Sequence, residues 1–160
     1  MELAPHITRN LCDKLYDKRK LGALEIERMV KDMNNKNEFD KIEKLTNYVI
    51  DTFCSSSNGN HRKGGLIALA GIAIGLGTDV NKIVTHLTPP VLKMFIDQDS
   101  RVRYYACEAM YNISKVGCDR SRSFYARDIS ISHRSSHSHS LDAWFTGGAL
   151  VHPGVLQRDL

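Results

Sequence analysis

The chain has 160 residues, 42% of them hydrophobic and 25% charged, which is enough for one ordinary core or for a few units of a repeat array. Its formal charge of +4 is spread along the sequence rather than gathered into a block, so composition alone gives little pull toward acidic partners or anionic lipid. The first twenty residues, MELAPHITRNLCDKLYDKRK, contain no apolar stretch of the kind that follows the basic start of a secretory signal, and the expected location is the cytosol.

In chain order, periodicity predicts helix almost everywhere up to Val116. DKRKLGALEIERMV, from Asp17, opens with basic residues and continues as a helix. Between Phe39 and Phe53, the residues Phe39, Ile42, Leu45, Val49 and Phe53 recur at steps of three and four and share one helical face. NHRKGGLIALAGIAIGL follows from Asn60. Its apolar run, Gly65 to Gly77, is shorter than the roughly 20 residues that cross a bilayer and reads as a buried helix. Gly71 and Gly75, one turn apart, would let a neighbouring helix come close. Pro89 and Pro90 are expected to open the next helix. In DQDSRVRYYACEAMYNISKV, a last stripe runs through Val102, Tyr105, Ala106, Ala109, Ile113 and Val116. No stretch before Val116 alternates like a strand, so the expected fold is all-α.

Three of these helices share a plan: a turn with a capping residue, a basic pair, then small and apolar residues. Aligning Lys20, Lys63 and Arg103 gives spacings within the range of helical-hairpin repeats. The expectation is an α-solenoid of about three hairpins over residues 4–116, each burying its open face on the next. Asp99 is the expected N-cap of the last helix. Arg103, one turn inside, can reach back to Asp97 or Asp99 or sideways to the next repeat. These three residues are read as the structural turn of the repeat.

Candidate binding residues cluster at the starts of the second helices: Lys18, Arg19, Arg62, Lys63 and Arg101. Cations are unfavourable for the helix at that end, which argues for a role toward a partner, and a solvated turn is the other reading. Tyr104 joins them as a ring that cannot share the core with Tyr105, read either as an interface anchor or as a ring lying over its own repeat. No catalytic constellation, GxGxxG or GxxxxGK[ST] is present, and no cofactor or metal is expected. Cys12, Cys54, Cys107 and Cys118 show no CxxC pair and are read as reduced thiols. His133, His137 and His139 lack an acidic or cysteine partner and are read as part of a tail.

PPVLKMFIDQDSRVRYYACEAMYNISKV resembles the HEAT-repeat pattern. LYDKRKLGALEIE, HRKGGLIALA and DSRVRYYACEAMYNISKV, in that order, are more narrowly similar to the N-terminal end of the vacuole-morphology scaffold family, the Vac-fourteen family. The resemblance covers roughly Ala4 to Val116. It implies a scaffold without catalytic residues that joins a FYVE-finger phosphoinositide 5-kinase to a Sac-type phosphoinositide phosphatase. In that family the scaffold activates the kinase, which makes phosphatidylinositol 3,5-bisphosphate on endosomal and vacuolar membranes, and it self-associates through its C-terminal part. For this chain it implies partial kinase contact, with phosphatase binding and the self-oligomer lost, and membrane recruitment only through partners. A generic HEAT adaptor unconnected with lipids is the alternative, and a nucleic-acid binder using the basic turns is a third reading.

From Gly117 to Leu160 the sequence has no lysine, is rich in serine and histidine, and shows no helical stripe. Here a low-order, non-family tail is expected, one that makes the chain look truncated with an aberrant end.

Overall fold

The computed structural model describes residues 3–117. The expectations for the tail and its histidines, and for Cys118, fall outside them.

Within these residues six α-helices follow one another: α1 (Pro5–Leu11), α2 (Tyr16–Asn35), α3 (Phe39–Val49), α4 (Gly59–Leu76), α5 (Val84–Lys93) and α6 (Ser100–Val116). Among the described residues there is no strand. The helices pair as hairpins, α1 with α2, α3 with α4 and α5 with α6, and the second helices lie side by side with α4 between α2 and α6. This arrangement is the all-α helical-repeat solenoid expected from the sequence.

Being covered on both sides explains the composition of α4. A helix exposed on one face keeps a polar stripe, whereas α4 is apolar nearly all round from Gly64 to Leu76. Counted through the 3-10 turn that follows it, the Gly59–Lys82 helix is long and apolar enough to cross a membrane by length and composition alone. Here 67% of its apolar window is buried inside the fold. The helix is thus longer than the apolar run suggested.

Small residues set the helix spacing. A Cβ on Gly71 would lie 2.9 Å from the Ala23 carbonyl oxygen, and one on Gly75 would lie 2.7 Å from that of Glu27, so α2 rests directly on the α4 backbone. The core that results includes Ile26, Val30, Leu66, Leu69, Ile72, Ala106 and Ile113, all fully or almost fully buried.

Pro89 and Pro90 do not open their helix. α5 begins at Val84, and both prolines lie inside it. The Thr88 hydroxyl donates to the Val84 carbonyl in the turn just before the pair. Proline lacks the N–H that an interior position would donate.

Candidate functional site

The second helices begin along one ridge, and there the repeat shows its true register. Arg19 donates through Nη1 to the carbonyls of Asp13 (2.6 Å) and Lys14 (2.9 Å). Arg62 does the same to Ser56 (3.0 Å) and Ser57 (2.8 Å), and Arg103 to Asp97 (2.7 Å) and Gln98 (3.2 Å). Each arginine therefore closes the turn five and six residues behind it. The equivalent positions are Arg19, Arg62 and Arg103, one residue away from the Lys20 and Lys63 alignment in the first two units. Lysine offers a point charge, whereas the guanidinium fork can hold two carbonyls at once.

A second layer of the motif repeats as well. Asp13, Ser56 and Asp97 each accept a bond from the backbone N–H two residues on, at Leu15, Asn58 and Asp99. Asn58 and Asp99 then cap α4 and α6 by accepting from the N–H groups of Asn60 (2.9 Å) and Arg101 (2.8 Å). Asp99 is the N-cap expected from the sequence. Arg103 reaches carbonyl oxygens rather than either turn carboxylate.

The Asp97 carboxylate belongs instead to the preceding repeat. Arg62 Nε donates to its Oδ2 at 2.8 Å and Nη2 to its Oδ1 at 3.0 Å, a bidentate pair whose side chains are only 18% and 12% exposed. Burial pulls the Asp97 pKa up, but the bonds from Arg62 and from the Asp99 N–H outweigh it and hold the carboxyl below its usual range. One guanidinium thus closes its own turn and fixes the register of the next hairpin.

The remaining ridge residues divide by accessibility. Arg19 is 4% exposed; its Nη2 donates to the Tyr105 hydroxyl at 2.5 Å, and its guanidinium carbon lies 5.1 Å from the centre of that ring. Lys63 is 7% exposed, and burial lowers its pKa against the opposing influence of Asp99. Lys18 is exposed and pairs with Asp13 at 3.2 Å. Arg101 is exposed, while Tyr104 is half-buried with its ring edge-on to Tyr105. Of the six candidates, Arg19 and Lys63 are interior, Arg62 is committed to Asp97, and Lys18, Arg101 and Tyr104 keep accessible surface. The thiols of Cys12, Cys54 and Cys107 are free, and burial pushes Cys54 up to about 12.

A feature that the sequence did not single out lies on the flank of the same three helices. Between α2, α4 and α6 opens a cavity of about 140 Å³. Tyr16, Lys20, Leu24 and Glu27 line it from α2, Ile67, Gly71 and Ile74 from α4, and Tyr105, Glu108 and Asn112 from α6. Ala23, Ala70 and Ala109 complete the lining, and the residues of each set share one face of their helix. The sequence signal was Glu108 lying between Tyr105 and Ala109 on an otherwise apolar stripe.

Burial raises the Glu108 pKa, partly offset by Tyr16 and Lys20. The Tyr16 hydroxyl donates to its Oε1 at 3.3 Å. Tyr16 is itself pushed up to about 12, by burial first and then by the Glu108 charge.

The family described as the Vacuolar 14 Fab1-binding region matches residues 60–129, which include all of α4 but its first residue, and α5 and α6. Among similar proteins, the VAC14 homolog of Arabidopsis thaliana is 53% identical over 110 residues, and that of Schizosaccharomyces pombe 46% over 112. The vacuole morphology and inheritance protein 14 of Saccharomyces cerevisiae is 43% identical over 116 residues. Each match covers 69% of this chain and only 13–15% of the relative. No solved structure matches.

Proposed function

Because the N-terminal region of this chain is a segment of the Vac14 family, we propose that it is a non-catalytic binding module of a scaffold for a Fab1-type lipid kinase. The match of residues 60–129 to a Fab1-binding region carries this reading. Within the described residues that segment supplies α4 and α6, two of the three adjacent second helices, so its contact surface is held by the Arg62–Asp97 clamp. The kinase is the phosphoinositide 5-kinase that makes phosphatidylinositol 3,5-bisphosphate. The chain reaches the vacuolar or endosomal surface through that partner, and phosphatase binding and self-association belong to other parts of the scaffold.

Isothermal titration of the purified chain against the purified Fab1-type kinase tests this reading, with a Sac-type phosphatase as the second titrant. Saturable kinase binding is expected, with none to the phosphatase. A chain that ignores the kinase would remove the proposal.

A further inference from the structure

We propose that the groove between α2, α4 and α6 docks a helix of the partner that inserts one basic side chain, its alkyl stem along Ile67 and Ile74 and its cationic head at Glu108. This rests on the kinase-binding reading and adds to it a face, an anchor and a charge.

The size of the groove fits one side chain. A cavity of about 140 Å³ approaches the roughly 150 Å³ apolar cavity that admits a benzene ring, so one long or aromatic residue fills it. Gly71 and Ala70 add only small surfaces to its lining. At the walls, Leu24 and Ile74 are 37% and 40% exposed, a large share for aliphatic side chains in a helical layer.

Charge selects the occupant. Among the described residues Glu108 receives one hydrogen bond at its carboxylate, from Tyr16 at a long 3.3 Å, and Lys20 acts on it without forming an ion pair. Glu27 is a second acid on the wall, against Lys20 as the single cation there. A carboxylate in such a place gains from a cation that brings its own hydrocarbon stem, which lysine and arginine both do. An acidic or purely apolar anchor would leave Glu108 desolvated and poorly paired.

Two of the three walls, from α4 and α6, lie within residues 60–129, which match the Fab1-binding region. The ridge, by contrast, spends Arg62 and Arg103 on turn carbonyls and buries Arg19.

The test uses the full chain in two arms. In the first, the Fab1-type kinase is titrated against wild type, Glu108→Gln, Ile74→Asp and the ridge variant Arg101→Ala, each checked by its thermal melt. Glu108→Gln should weaken binding about tenfold and Ile74→Asp more, with Arg101→Ala within about twofold of wild type. Groove variants that bind like wild type would overturn the groove and leave the kinase reading standing.

The second arm uses a synthetic leucine-faced helical peptide with one central arginine, and the same peptide with glutamate there. The arginine peptide should shift the amide resonances around Ile74 and Glu108, and the glutamate peptide should not. Should the kinase fail to bind wild type, the kinase reading falls; the groove then survives if the arginine peptide binds in a Glu108-dependent way. Equal behaviour of the two peptides overturns it.

Discussion

Replacing Arg62 with alanine should cost far more than the same change at Arg103, although both arginines close their turns in the same way. Arg62→Ala removes two carbonyl bonds and the bidentate pair with Asp97, and it leaves a carboxylate whose side chain is 12% exposed without its cation. Breaking a fully buried pair by deleting one partner costs about 3–5 kcal/mol, and this pair keeps a little water, so about 3 kcal/mol is expected. Arg103→Ala gives up two carbonyl bonds from an exposed side chain, and water can take them over. About 1 kcal/mol is expected there. For an ordered body of roughly a hundred residues, 1 kcal/mol moves the melting temperature by about 4 °C, which gives drops of about 12 °C and about 4 °C. Circular-dichroism melts of the two variants beside wild type measure both. Superimposed melts for Arg62→Ala and Arg103→Ala would show that the inter-repeat pair adds nothing and that the arginines act only on their own turns.

The same pair predicts a pH dependence. With the folded pKa of Asp97 held below the ordinary 3.8, its contribution is present above that value and is lost as pH falls through the folded pKa. Urea titrations should therefore show the gap between wild type and Arg62→Ala closing in strong acid, and a constant gap would contradict the assignment. Gly64→Ala should destabilise by about 1–3 kcal/mol, because the new Cβ would fall 2.2 Å from the Leu11 carbonyl oxygen, which belongs to backbone and has little room to move. Gly22→Ala, which meets the Leu11 side chain at 3.1 Å, should cost less in the same urea titration.

Apolar periodicity made the helices legible because it survives any error in the packing partner. Ile42, Leu45, Val49 and Phe53 on α3 and the turn after it, and Val102, Tyr105, Ala106, Ala109 and Ile113 on α6, are all buried. The glycine pair on α4 was legible too, since two small residues one turn apart leave a strip of bare backbone. Charge was harder to read. In Lys18-Arg19-Lys20 and Arg62-Lys63 adjacent cations look alike in sequence, yet a helix turns about 100° between neighbours, so one lies over the turn while the next points elsewhere. The prolines misled because they are commonest at a helix start, and at Pro89 the helix was already more than a turn old. The groove could not be read from one helix, since its three walls come from residues far apart in the chain that meet only after stacking.

That stacking also separates two jobs that the sequence places side by side. A cation at a helix start opposes the helix dipole and needs compensation. Arg19, Arg62 and Arg103 find it in turn carbonyls, and Arg62 finds it also in the carboxylate of the next repeat. These bonds serve the turns and the register of the solenoid, and a partner competing for Arg62 would have to displace a bidentate carboxylate already in place. Glu108 is in the reverse position: burial disfavours its charge, and its hydroxyl partner is distant. A ligand cation arriving there relieves an existing cost rather than breaking an existing bond. Binding free energy is therefore easier to gain on the α2–α4–α6 face than on the ridge, even though the ridge carries more charge.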